Sequence, residues 1–407
     1  MNSLYRDSRL YKLLAANTFS SVGTGITMLS LPWLLIQKSG GETLFGYVAL
    51  TMTVIMFLLT PYSGMMIDRF SRKTIMLCGE ALGFTIVAAF AFIGFVGAEY
   101  EIWHLVLLYG SGVLYYFLFY PTLFALNQEL FDSSQYKQLN GIFEIQGQLT
   151  TVVAGGVASI LMTKVGLHWI LAMDACTYLA AIYCLWKIPY HREIRSVSNV
   201  SFWHKMTEGY RYMRSHPSLF WFLLASFMPF IGVMMTNYLH PIYISNVLKE
   251  DGSVYGTQSM VYGFGAAFAG LVIPFFIKRI GNEATIVINV CIYTLALTLF
   301  LVFQHTLIFY MLVIFTAFGN AGTRVARSSL MMELIPNDKI GRVDSLFRAV
   351  GLMIRMLLLT VFTGAVSLES VMVPYAILSA VLFVSLLTVL GLMKTVKKEE
   401  TNMRQAM

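Results

Sequence analysis

Apolar stretches of roughly 20 or more residues follow one another along almost the whole chain, each long enough to cross a hydrocarbon core of about 30 Å as a helix. No large soluble domain fits between them. Of 407 residues, 57% are hydrophobic and 12% charged, with a mean hydropathy of +0.69. A soluble domain could not hide that much apolar surface. The first thirteen residues, with Arg6, Arg9 and Lys12, run into an apolar stretch longer than a signal-peptide core, with no small-residue cleavage site after it. That stretch is expected to stay as the first membrane segment.

Twelve segments are read near 10–37, 43–67, 73–97, 101–132, 137–164, 168–190, 218–247, 255–277, 284–304, 306–335, 340–367 and 370–393. They predict an all-α polytopic membrane protein with two six-helix bundles, 1–190 and 218–394, and a short tail over 395–407. The longest polar connection, 191–217, carries Phe202, Trp203, Met206, Tyr210 and Met213 at helical spacing among Lys205, Arg211 and Arg214. An amphipathic helix on the membrane surface is expected there. With the N-terminus inside, nearly all Lys and Arg fall on the cytoplasmic side, including Arg69, Arg72, Lys73, Lys278, Arg279, Lys339 and Arg342. Only Lys38, Lys164 and Lys249 fall outside, so both termini are expected to be cytoplasmic in a multi-pass protein of the cell membrane. The net charge of +7 follows from this asymmetry, and its scatter among short loops argues against a nucleic-acid partner. Cys78, Cys176, Cys184 and Cys291 lie inside apolar runs without metal or redox spacing and are expected to be buried packing residues.

After the second segment stands Gly64-Met65-Met66-Ile67-Asp68-Arg69-Phe70-Ser71-Arg72-Lys73. It resembles the cytoplasmic loop signature G-x-x-x-D-R-x-G-R-K of the major facilitator superfamily, with Ser71 where the pattern has glycine. The resemblance implies the major facilitator fold, with a central site between paired bundles and alternating access. It also makes Gly64, Asp68, Arg69, Arg72 and Lys73 the conformational gate, Gly64 by allowing close helix approach and Asp68 by its charge. In the second half the corresponding loop, Lys278-Arg279-Ile280-Gly281, is degenerate. Asp174-Ala175-Cys176-Thr177-Tyr178-Leu179, Asn237-x-Leu239-x-Pro241 and Gly341-Arg342-Val343-x-Ser345-Leu346 are similar to the macrolide-efflux-like branch of drug:proton antiporters. In segment 5, Gly147-x-x-x-Thr151-Val152-x-x-Gly155-Gly156 looks like the antiporter motif G-x-x-x-G-P-x-x-G-G with its central Gly-Pro replaced. The resemblance also implies an arginine in segment 4 for proton transfer, and 101–132 contains none.

Acidic groups within the segments are the other candidates for proton coupling, because desolvation favours the protonated carboxyl. Glu144 stands first, on a stripe with Gln148, Thr151 and Gly155, followed by Asp174 and Glu80. Water access from the near end of segment 5 is the alternative for Glu144. Asn17, Ser20, Thr24 and Thr27 form a polar stripe on segment 1, read either as cavity lining or as interhelical contacts. Segment 10 continues the theme with Thr316, Asn320, Thr323 and Arg327 beside Arg324, both arginines near the cytoplasmic end and read as snorkelling or gate residues. Arg355 lies about 22 Å into segment 11, with Arg348 and Gly351 on its face. It is read either as half of an ion pair or as the contact for a negative group on the cargo. Asn17, Thr24, Gln148, Asn237, Asn320, Arg348 and Arg355 make up the expected substrate cavity.

There is no P-loop, HExxH, nucleophile elbow or metal-ligand cluster, so neither an enzyme nor a cofactor is expected. The reading is a secondary active transporter, acting as a monomer in membrane lipid, that exports amphiphilic small molecules in exchange for protons. Export of an anionic metabolite such as a siderophore is the alternative. A non-transporting receptor or a lipid scramblase is the alternative of another class.

Overall fold

The computed structural model describes residues 3–132, 135–190, 202–366 and 370–406. Six long helices form the first half: α1 (Ser8–Ile36), α2 (Gly41–Arg69), α3 (Arg72–Phe95), α4 (Ile102–Leu130), α5 (Tyr136–Lys164) and α6 (Leu167–Trp186). A shorter helix, α7 (Phe202–Arg214), precedes the second half, which comprises α8 (Pro217–Ser226), α9 (Met228–Tyr243), α10 (Gly252–Ile280), α11 (Asn282–Leu299), α12 (Thr306–Leu334), α13 (Asn337–Val366) and α14 (Met372–Ala406). Taking 217–248 as one crossing, the described residues hold 12 helices long and apolar enough to span a membrane. The chain is therefore an all-α, multi-pass membrane protein. α14 runs on to Ala406, through what was expected to be a separate tail.

Two compact units divide the chain, the first made of residues 1–199 with 250–260, the second of 200–249 with 261–407. In the first unit α1 is enclosed by its neighbours, and half of what it buries is polar or small, including Asn17, Ser20, Ser21, Gly23, Thr24, Thr27 and Ser30. Gly23 is where α1 meets α6. A Cβ there would stand 1.9 Å from Thr177 Oγ1 and 2.6 Å from Asp174 Oδ1, so only glycine admits those side chains. Gly155 and Gly156 serve a comparable contact with the start of α10, where a Cβ on Gly155 would lie 2.4 Å from the Met260 backbone nitrogen. At Gly64 and Gly147 a Cβ would meet nothing within 4 Å. The close approach expected at Gly64 is thus not used here.

The turn after α2 accommodates Ser71 without strain, because its φ is −62° and its hydroxyl accepts the Thr74 N–H at 3.3 Å to cap α3. Before α1, Asp7 caps the helix in the same way and receives the Arg9 guanidinium at 2.6 Å, which holds its carboxyl below the usual range.

In the second unit α7 lies on the start of α13 as well as being amphipathic. Gly209 touches the Arg342 carbonyl, Glu208 pairs with Arg342 at 2.8 Å, and Met213 is wholly buried. Of the expected apolar face, Met206 and Met213 therefore pack on protein, while Tyr210 is exposed. Residues 191–201 of that connection lie outside the described residues. Cys78 and Cys176 are exposed, Cys184 and Cys291 half-buried, contrary to the expectation that all four are buried. On a helix bordered by lipid, a small apolar side chain gains nothing by facing inward.

Gly23→Ala should destabilise the protein by about 1–3 kcal/mol through overpacking against Thr177 and Asp174. A lower Tm in detergent, beside an unchanged one for Gly64→Ala, is the expected result; equal melting of the two variants would contradict it.

Candidate functional site

The polar stripe of α1 faces two carboxylates inside the first unit. Glu80 on α3 is 0% exposed; its carboxylate accepts the Ser20 hydroxyl at 3.0 Å and the Tyr115 hydroxyl of α4 at 2.9 Å. The Ser20 and Tyr115 oxygens also lie against each other, and with one proton on each hydroxyl all three contacts can be hydrogen bonds at once only when Glu80 itself carries a proton. Asp174 on α6 is 1% exposed; it accepts Thr27 at 2.6 Å, Thr177 at 3.4 Å and Thr24 at 3.5 Å. Thr24 also donates to the Tyr178 hydroxyl at 2.9 Å, and the Tyr178 and Tyr115 rings meet edge to face at 5.5 Å. Every partner is a hydroxyl. Among the described residues, no basic group comes within ion-pair distance of Glu80 or Asp174. Such hydroxyls can donate to a carboxylate or accept from a carboxylic acid, so the cluster suits either protonation state.

Glu144 lies elsewhere. It is exposed on α5 and accepts Gln148 at 3.0 Å. The inward face of α5 is instead the one bearing Gln146 and Thr150. Gln146 accepts Asn17 at 2.5 Å and donates to Thr18 and Thr150 at 3.1 and 3.0 Å. A step from 144 to 146 turns a helix by about 200°, so two polar faces alternate on α5. Sequence reasoning took one and missed the other, although Gln146 and Thr150 stand at i, i+4. Tyr115 was also missed, since a tyrosine in an apolar helix carries no signal of what its hydroxyl meets.

The loop signature divides into an outer and an inner part. Asp68 and Arg69 are exposed on α2. Arg72 is turned inward, with Nη1 2.7 Å from the Ala125 carbonyl and 3.2 Å from Glu129 Oε1. Glu129 also accepts the Tyr190 hydroxyl at 2.6 Å. Lys73 donates to the carbonyls of Trp186 and Ile188 at 3.0 and 2.7 Å, capping the end of α6. These two basic side chains fasten α3 to α4 and α6.

In the second unit Asn320 is buried and donates to the Tyr262 hydroxyl at 2.8 Å, while Asn237 is exposed on α9. Arg348 is exposed and pairs with Asp344 at 2.7 Å, one turn away on α13. Arg355 is half-buried on the same helix. Arg324 is exposed, but Arg327 is 7% exposed and packed between the Phe227 and Phe347 rings, at 4.7 and 5.0 Å. Arg327 thus neither snorkels nor reaches the surface. No group of three or more His, Cys, Asp or Glu able to hold a metal ion occurs among the described residues.

Comparison with known proteins agrees with this architecture. Residues 13–352 match the family model of the Major Facilitator Superfamily. Macrolide efflux protein A of Streptococcus pyogenes is 20% identical over 342 residues, covering 83% of this chain and 84% of that protein. The multidrug efflux pump Tap of Mycolicibacterium fortuitum is 22% identical over 310 residues, 73% of this chain and 74% of the pump. Among solved structures, a bacterial homologue of the iron transporter ferroportin superposes with a TM-score of 0.70 at 17% identity, over 98% of this chain and 100% of that one. The nucleoside transporter NupG gives a TM-score of 0.70 at 13% identity, over 95% and 100%. At such identities the structures share the fold alone. The family match over most of the chain, on two units of membrane-crossing helices, makes this protein a member of the Major Facilitator Superfamily and a transporter rather than an enzyme.

Proposed function

We propose that this transporter exports amphiphilic small molecules in exchange for protons, and that Asp174 and Glu80 carry the proton. The observation behind this reading is the pair of enclosed carboxylates with hydroxyl partners and, among the described residues, no cation in ion-pair range. A charge held that way in an apolar slab is costly unless a proton neutralises it, so proton occupancy and conformation become linked. A cycle in which the pair is opened to one side and then the other moves protons down their gradient and cargo against its own. The efflux relatives support export, since both are named for efflux, one of macrolides and one of many drugs. With cargo leaving, the proposal places the protein in the cell membrane with both termini cytoplasmic, as the distribution of Lys and Arg suggests. Glu144, exposed beside Gln148, ranks behind the enclosed pair for this role.

The test is uptake of a panel of labelled amphiphiles of both charges, a macrolide included, into inverted vesicles with and without an imposed pH gradient. Gradient-dependent accumulation of at least one probe is expected. Asp174→Asn or Glu80→Gln should reduce accumulation about tenfold or more while sparing counterflow exchange, whereas Glu144→Gln should retain it. Undiminished uphill transport in both buried-site variants would move the coupling site elsewhere. Binding without flux in every variant would point to a receptor, and gradient-independent lipid movement to a scramblase.

Asp68 is the acid of the loop signature, and its exposed charge is proposed to act in the gate. Asp68→Asn should lower transport about tenfold with expression unchanged. Wild-type rates in that variant would remove Asp68 from the mechanism.

A further inference from the structure

The seventh crossing was read from the sequence as one segment, yet it is interrupted at Phe227, between α8 and α9. Phe227 turns its N–H to the carbonyls of Leu224 and Ala225. The Leu223 carbonyl, which an unbroken helix would give to Phe227, is released. Two donors take it: the Ser226 hydroxyl at 2.9 Å and Arg327 Nε, reaching over from α12, at 3.3 Å. The Ala225 carbonyl is held by the Ser385 hydroxyl of α14 at 2.7 Å. The interruption is thus supported from two neighbouring helices.

Two features remain unused by that support. No side chain caps the start of α9; Pro229 has no N–H, and the Phe230 and Ile231 N–H groups go to the Phe227 carbonyl at 3.1 and 3.3 Å, which leaves the Met228 N–H as the donor at this start with no backbone acceptor among the described residues. Arg327 has its Nε on Leu223 and its guanidinium between two phenyl faces, while Nη2 is enclosed and has no acceptor among the described residues. The carboxylate with the nearest influence, Asp344, is engaged by Arg348 at 2.7 Å. Phe227 itself joins the two features, since it is both the residue before α9 and the ring under the guanidinium. It lies about 15 Å along the crossing from Pro217, a third of the way along its 32 residues. Helix starts are suited to negative groups.

We propose that the interruption at Phe227 is an anion site, in which Arg327 and the start of α9 receive the carboxylate or phosphate group of an amphiphilic anion. The Phe227 and Phe230 rings, 5.2 Å apart, and Phe347 supply an apolar wall for the rest of such a molecule. A fixed guanidinium selects against cationic heads by repulsion as well as for anionic ones. The assignment rests on the transport reading only in making this molecule the cargo, which it narrows from amphiphiles in general to those with an acidic group.

Equilibrium binding to the purified full chain tests this without flux. The probes are 2-naphthylacetate and its methyl ester, measured in nanodiscs of phosphatidylcholine, with inorganic phosphate as competitor. The acid should bind about tenfold or more tighter than the ester, and phosphate should displace it. Arg327→Gln should bring that ratio close to one with the ester's affinity retained, and Arg327→Lys should keep part of it, because charge survives without the planar fork. Thr388→Ala, on the same helix as Ser385 but bonded to the Val384 carbonyl of its own helix, should leave the ratio unchanged. All variants are read on the monodisperse fraction, so a fold defect shows as lost ester binding as well. Equal binding of acid and ester, or an acid preference that survives Arg327→Gln, would overturn the site. Loss of the preference when phosphatidylglycerol is added would assign the site to a lipid headgroup and overturn the cargo role. Acid binding without gradient-driven uptake would leave the site standing and remove the export reading.

Discussion

A polar group inside a membrane must find its partner within the protein, because the surrounding hydrocarbon offers none and each unsatisfied group costs several kcal/mol. Most of what distinguishes the two units follows from how they meet that demand. In the first unit the answer is α1, whose hydroxyls are spaced to meet Glu80 on one neighbour and Asp174 on another. Gly23 makes the second meeting possible by leaving room for Thr177 and Asp174 against the α1 backbone. Packing and chemistry are the same set of contacts here, so the site is inseparable from the core of the unit.

The loop signature meets the same demand at the edge of the unit. Arg72 spends its charge on Glu129 and the Ala125 carbonyl, and Lys73 caps α6, so these two basic members of the motif hold the unit together. Its acidic member, Asp68, stays exposed. That division separates the two basic side chains that hold the unit together from the exposed acid to which the gate role is proposed.

The second unit works with cations and aromatics. Arg327 lies between two phenyl faces and supports a helix interruption, while Arg348 is paired along its own helix. Two carboxyl groups are enclosed in one unit and a guanidinium in the other, and the proposals give the coupling ion to the first and the charge of the cargo to the second.

The sequence by itself determined the fold class, the number of crossings and the family. Those properties rest on long apolar runs, on the asymmetry of Lys and Arg, and on the contiguous motif from Gly64 to Lys73, and all three are local patterns. It also named Glu80, Asp174 and Thr24, because a charged or polar residue in an apolar run stands out. It did not rank them. Glu144 and Gln146 are two residues apart on one helix and face nearly opposite ways, and only packing against α1 decides which is enclosed. Arg327 looked like a residue able to reach the helix end, and the position of Phe227 and Phe347 from two other helices is what encloses it. The interruption at Phe227 was hidden because its freed carbonyls are satisfied by Arg327 and Ser385, which lie 100 and more residues away along the chain. Depth along a helix is written in the order of residues; the direction a polar group faces, and what it meets there, is set by which helices stand beside it.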